Sequence, residues 1–109
     1  MGAIAVAVDM TILKRIDYDP ERTIVATIGN TGLGAVDRLP EILELASTYG
    51  SRVHADAAYG GYFGLASELQ ESTRRAYDNL VNVDSIVVDP HKHGLQPYGC
   101  GCVLFRDAE

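Results

Sequence analysis

One lysine stands where a reactive amine would be useful. Lys92 lies in Asp89-Pro90-His91-Lys92-His93-Gly94, just after the apolar run Asp84-Ser85-Ile86-Val87-Val88. A lysine at the inner end of a buried strand can lose hydration and become a nucleophilic amine. A loop lysine pointing into water is the plain alternative. The second candidate is Asp56, in His54-Ala55-Asp56-Ala57-Ala58-Tyr59-Gly60-Gly61. Small neighbours let a flat object approach the backbone there, and the carboxylate would meet it with a fixed negative charge. An aspartate that merely opens a turn has the same local look.

Other chemistries find less support. The loop Gly29-Asn30-Thr31-Gly32-Leu33-Gly34 spaces its glycines as G-x-x-G-x-G, not as the dinucleotide fingerprint, and no G-K-[ST] follows. It reads as a tight turn displaying Asn30 and Thr31. His54, Asp56, His91 and His93 are metal-ligating types, but they lack an H-E-x-x-H spacing, so no metal is expected. Cys100 and Cys102 flank one glycine; a bridge between them would be strained, and no second pair completes a zinc set. They read as reduced cysteines packed in a strand.

These residues need a scaffold, and the chain has the size for one modest α/β domain of 109 residues. With 47% hydrophobic residues it is too apolar for disorder. Fifteen acids against nine Lys and Arg, a net charge of −6, argue against a nucleic-acid or anionic-membrane partner. The longest strictly apolar run, Ala3 to Val8, is far below the ~20 residues that span a bilayer, and no basic segment precedes it. The expected location is the cytoplasm.

Runs at 3–8 and 23–28 read as buried strands, with room between Asp9 and Arg22 for a short helix around Ile12, Leu13 and Ile16. Asp37 is expected to cap a helix with Pro40 in its first turn and Gly50 at its end. Leu39, Ile42, Leu43, Ala46 and Tyr49 share its apolar face, while Glu41 and Glu44 lie on the solvated one. Arg52 to Ala55 forms a strand ending at Asp56. A second helix runs through Leu65, Leu69, Thr73, Ala76, Tyr77 and Leu80. Strands at 84–88 and 102–105 complete the set. The alternation implies a parallel sheet, whose ligands sit beyond the carboxyl ends of the strands. That rule selects the loops Gly29–Gly34, Asp56–Gly61 and Asp89–Gly94.

The motifs can now be matched. His54 to Gly61, followed by Val83 to Lys92, resembles the two central motifs of the group II pyridoxal-phosphate-dependent amino acid decarboxylases. Thr27-Ile28-Gly29-Asn30-Thr31-Gly32, with Gly34-Ala35-Val36-Asp37 after it, resembles a third. The resemblance runs from about Thr23 to Asp107, and the Asp-Pro-His-Lys loop with Gly99 to Asp107 looks closest to archaeal-type tyrosine/aspartate decarboxylases.

The resemblance implies the central part of the large cofactor domain of the type I pyridoxal-phosphate (aspartate aminotransferase-like) fold, a mostly parallel sheet with flanking helices. Residues 1–109 would be a partial large domain. The N-terminal segment, the small C-terminal domain and the mobile loop that delivers a proton would lie outside them. Lys92 would bond the cofactor aldehyde, and Asp56 would hold the pyridinium nitrogen protonated. Ala58 would lie against one ring face, His91 would reach toward the phosphate, and Thr31 would bond near the cofactor or the substrate carboxylate. His54 would support Asp56 from behind. The implied reaction is decarboxylation of an L-amino acid to an amine and CO2 by a homodimeric full-length enzyme, the 109 residues alone being inactive. A carbon–carbon lyase resembling sphingosine-phosphate lyase, or a noncatalytic truncated remnant, is the alternative.

Overall fold

The computed structural model describes residues 23–107. The strand expected at 3–8 and the short helix after it lie outside these residues. Among the described residues four strands form one sheet in the order β1-β2-β3-β4. They are β1 (Thr23–Thr27), β2 (Arg52–Asp56), β3 (Ser85–Val88) and β4 (Cys102–Phe105), and two helices, α1 (Leu39–Tyr49) and α2 (Glu71–Asp78), connect the first three. The pairs β1–β2 and β2–β3 are parallel, while β4 returns antiparallel to β3, with Cys102 opposite Val88. The expected α/β class with a mostly parallel sheet is therefore observed.

Side chains alternate across a strand, and this sorts β2 into two sets. Val53, Ala55 and Ala57 join Ala26, Ala46, Ala76 and Tyr77 in the core beneath the helices. His54 and Asp56 take the opposite face, where His54 meets Ser85 of β3. Both sets are needed. The first anchors the strand, and the second leaves a carboxylate at its carboxyl end.

α1 begins and ends differently from the sequence expectation at one end only. Gly50 terminates it as expected, at φ 65°, a left-handed conformation that suits glycine. Its N-cap is Arg38, however, and no side chain caps it. The Asp37 carboxylate instead accepts the Thr27 N–H at 2.7 Å, while the Asp37 N–H donates to the Thr27 carbonyl at 2.9 Å. Asp37 is thus engaged through both its carboxylate and its backbone by Thr27 at the end of β1, and does not cap the helix. Tyr49 is also off the packed face. It is 74% exposed, in the last residue before the cap, whereas Leu39 and Ala46 are buried. Glu41 and Glu44 are exposed, as expected.

The single helix expected from Leu65 to Leu80 is three pieces. A 3-10 turn spans Gly61–Leu65, α2 follows at Glu71–Asp78, and a second 3-10 turn covers Asn79–Asn82. The Arg74 guanidinium donates to the carbonyls of Gly64 (2.8 Å) and Ala66. Those acceptors are thus consumed by a side chain rather than by a continuing helix. Leu65 is left 83% exposed, while Ala76 and Tyr77 are buried as expected. Among the described residues no helix is long and apolar enough to cross a membrane.

Candidate active site

Because β1, β2 and β3 are parallel, the loops that follow them share one edge of the sheet. The loop after β1 is closed by its own bonds. Asn30 Oδ1 accepts the N–H groups of Leu33 (2.8 Å) and Ala35 (3.3 Å), which leaves Thr31 exposed at its tip. This loop presses on the next. A Cβ on Gly29 would lie 2.7 Å from the Gly60 Cα, so both positions require glycine. Tyr77 Oη secures the contact by donating to the Gly60 carbonyl at 2.6 Å, and burial pushes its hydroxyl pKa up.

Asp56 ends β2 half-buried, with Oδ1 accepting the Ala58 N–H at 3.2 Å. That bond opens the turn and fixes one carboxylate oxygen. Behind it, His54 is fully buried; its Nδ1 lies 2.7 Å from Ser85 Oγ, and its Nε2 has no partner among the described residues. Burial pushes the His54 pKa down, and the nearby Asp56 carboxylate offsets part of that shift. His54 therefore stays neutral at pH 7, and the fixed charge at this point belongs to Asp56.

Lys92 sits on the adjacent loop. Its Nζ is 2.9 Å from Asp89 Oδ2, and the Lys92 N–H donates to the Asp89 carbonyl at 3.0 Å. The loop is tied to Asp56 through one residue, because the Asp89 N–H donates to the carbonyl of Ala58 at 3.1 Å. His91 turns away toward the segment before β4, where its Nδ1 lies 2.7 Å from the Cys100 carbonyl oxygen. Cys102 is half-buried in β4, but Cys100 is exposed and precedes the strand, so only one of the two cysteines packs as expected.

The structure thus gathers the five sequence candidates, Lys92, Asp56, Ala58, His91 and Thr31, on three neighbouring loops. Lys92 and Asp56 are linked through Ala58 and Asp89. The sequence reading left Asp89 without a role, although its spacing three residues before Lys92 in a turn is a signal for the pair. It also missed Tyr77, whose hydroxyl acts 17 positions away.

Residues 6–109 match the family model described as the pyridoxal-dependent decarboxylase conserved domain. The chain belongs to the pyridoxal-dependent decarboxylase family. One relative of this decarboxylase-family chain is a probable L-tyrosine/L-aspartate decarboxylase of Methanosphaera stadtmanae. It is 37% identical over 100 residues, which are 91% of this chain and 26% of that protein. An L-aspartate/L-glutamate decarboxylase of Pyrococcus horikoshii is 43% identical over 84 residues, 76% of this chain and 22% of its own length. Among solved structures, the Catharanthus roseus tryptophan decarboxylase in complex with L-tryptophan superposes with a TM-score of 0.67 at 32% identity. The match covers 78% of this chain and 17% of that one. The chain spans about a quarter of the length of the curated relatives it matches.

The donor set suits the cofactor of this decarboxylase family. An aldehyde calls for a primary amine, and a pyridinium nitrogen for a fixed carboxylate. Lys92 and Asp56 supply these on adjacent loops, with the small Ala57 and Ala58 between.

Proposed function

We propose that this chain is the part of a pyridoxal-phosphate-dependent amino acid decarboxylase that carries its reactive lysine and its ring-nitrogen carboxylate. The observation that carries this reading is the placement of Asp56 and Lys92 at one sheet edge, tied together through Ala58 and Asp89. Family membership supports the cofactor and the reaction class. When bound, pyridoxal phosphate supplies an electron sink for the pair left behind by departing CO2.

The remaining roles belong to side chains of this chain. The Lys92 amine would hold the cofactor aldehyde, and Asp56 would keep the ring nitrogen protonated by its charge. Ala58 leaves room for the ring. Thr31, exposed at its loop tip, would bond near the cofactor or the substrate carboxylate, and His91, whose Nδ1 is engaged by the Cys100 carbonyl, would offer the phosphate its Nε2. His54 backs Asp56 without competing for charge. In the net reaction an L-amino acid loses its carboxylate as CO2, and the alpha carbon gains one proton to give an amine. The full-length protein is read as a cytoplasmic homodimer acting on free amino acids, with the isolated 109 residues inactive.

The test is reductive trapping. Pyridoxal phosphate is added to the full-length protein, borohydride is applied, and the digested peptides are weighed. Lys92 and Lys14 are the two lysines of this chain. Label on Lys92 together with CO2 release from an amino acid supports the proposal. Label on Lys14 overturns the site. Label on Lys92 with aldehyde release from a phosphorylated amino alcohol favours the carbon–carbon lyase, and no label favours the noncatalytic remnant.

A further inference from the structure

The two histidines beside Lys92 are used in opposite directions. His91 is fastened to the segment before β4 by its ring at 2.7 Å and its N–H at 3.2 Å, both to the Cys100 carbonyl, with Tyr98 beside it at 5.6 Å. His93 points toward the loop after β2. Its ring centroid lies 4.5 Å from that of Tyr59, nearly perpendicular, and 4.7 Å from that of Phe63. Tyr59 and Phe63 themselves meet edge-on at 5.6 Å, so the three rings close a triangle.

This triangle joins the two loops that matter. Tyr59 follows Ala58, whose N–H holds the Asp56 carboxylate and whose carbonyl accepts the Asp89 N–H. The Asp89 bond fixes the start of the lysine loop, and beyond Lys92 the Gln96 N–H returns to the Pro90 carbonyl at 3.0 Å, so the loop closes on itself. His93 ties the far side of that closed loop to the loop after β2. Immediately after it the chain has no slack. A Cβ on Gly94 would lie 2.5 Å from Tyr62 Oη, and Leu95 adopts φ 55°, a left-handed conformation unusual for leucine. Yet His93 is exposed overall, so its ring contributes little to the core.

We propose that His93 is a positioning residue whose ring, wedged against Tyr59 and Phe63, fixes the direction of Lys92 relative to Asp56. This rests on the reading of Lys92 as the amine that takes the cofactor. The lysine stem has four methylenes, and the amine lands reproducibly only if its own Cα–Cβ direction is fixed. His91 and His93 fix it from the two sides. The role needs a ring, not a proton, and this separates it from acid–base or metal-ligand roles for the same residue.

The test uses the full-length protein, with the pyridoxal phosphate concentration that half-labels Lys92 after borohydride as the readout. His93→Ala should raise it about tenfold, and His93→Phe should stay within about threefold of wild type. Phe63→Leu, on the other side of the wedge, should match His93→Ala and serves in its place if that variant does not fold. The double variant should lose no more than either single one. Wild-type affinity in both His93→Ala and Phe63→Leu overturns the proposal, as does a His93→Phe variant as impaired as His93→Ala. Failure of the wild-type protein to label at Lys92 overturns the functional reading instead.

Discussion

The Lys92 ammonium lies 2.9 Å from the Asp89 carboxylate, and the pair closes a turn that the backbone also closes, with the Lys92 N–H on the Asp89 carbonyl. Lys92 is 35% and Asp89 20% exposed, so water screens much of the attraction. The pair therefore orients the amine more than it stabilises the fold. On the proposed reading, the cofactor aldehyde would draw the amine away from Asp89.

Lys92→Ala should accordingly change unfolding free energy by less than about 1 kcal/mol while abolishing cofactor labelling. Lys92→Arg keeps the charge beside Asp89 but should label no better, since a guanidinium stays protonated and cannot act as the amine. Denaturant midpoints and borohydride trapping check the two halves. A labelled Arg variant would remove Lys92 from the site.

A second aspartate holds the sheet itself. Asp84, just before β3, accepts the Val53 N–H at 2.7 Å and the Arg106 guanidinium at 2.7 Å, while its backbone bonds to Val53 and Arg106 as well. It thus joins β2 and the residue after β4 to β3. Asp84→Ala strands the Val53 N–H and should cost about 2 kcal/mol. Arg106 is 46% exposed, and Arg106→Ala should cost less than about 1 kcal/mol. Equal losses in urea unfolding would show that the ion pair, not the strand bond, carries the effect.

What the sequence reveals and conceals follows from the range of each interaction. Runs rich in β-branched residues, such as Thr23 to Ile28 and Ser85 to Val88, identify strands, and the alternation with helices implies the shared loop edge. Lys92 and Asp56 stand out as candidates because reactive types at strand ends are few, and the structure places both on the shared loop edge. Asp84 is not legible, because its partners lie 31 and 22 positions away. Asp37 misleads because its spacing before Pro40 suits a cap, while its competing bond to the Thr27 N–H spans ten positions. Leu65 falls in helical phase with Leu69, yet residues 66–70 are not helical and the Gly64 carbonyl is taken by the Arg74 side chain. The ring triangle of Tyr59, Phe63 and His93 needs two loops to meet, which no local pattern records.

His54 should leave its mark on the pH dependence of stability. Burial holds its folded pKa below the ordinary value of about 6.5, and the Asp56 charge restores only part of the difference. Above about pH 6.5 the ring is neutral in folded and unfolded chains alike, and it contributes no slope. As pH falls below that value the unfolded chain takes up a proton that the folded one refuses, so stability declines until the folded pKa is passed. His54→Asn keeps a partner for Ser85 but does not titrate. Urea midpoints between about pH 5 and 7 should fall toward acid in wild type and fall less in the variant. Parallel curves would mean that the ring is solvated.

Asp56 poses the sharpest choice between chemistry and folding. As a turn residue it needs only an oxygen for the Ala58 N–H, and asparagine offers the same Oδ1 at the same reach. Asp56→Asn should therefore fold, with thermal and urea midpoints near wild type, because the substitution keeps volume and the one observed bond. What it removes is charge. Neutral His54 behind it cannot replace that charge, and Asp89 is already engaged by Lys92. On the proposed reading Asp56 would be the group that keeps the ring nitrogen protonated, and without its carboxylate the cofactor would supply a poorer electron sink. The loss should be roughly 3–5 kcal/mol in the transition state, about 10²- to 10⁴-fold in rate. Asp56→Glu should also be slow, since one more methylene pushes the carboxylate off the Ala58 N–H and toward the ring. A turn role predicts the opposite order, with Asn fully tolerated. Steady-state rates of the full-length variants, with circular dichroism to confirm folding, decide it: a folded Asn variant within a few-fold of wild type would remove Asp56 from the site and leave it a turn residue.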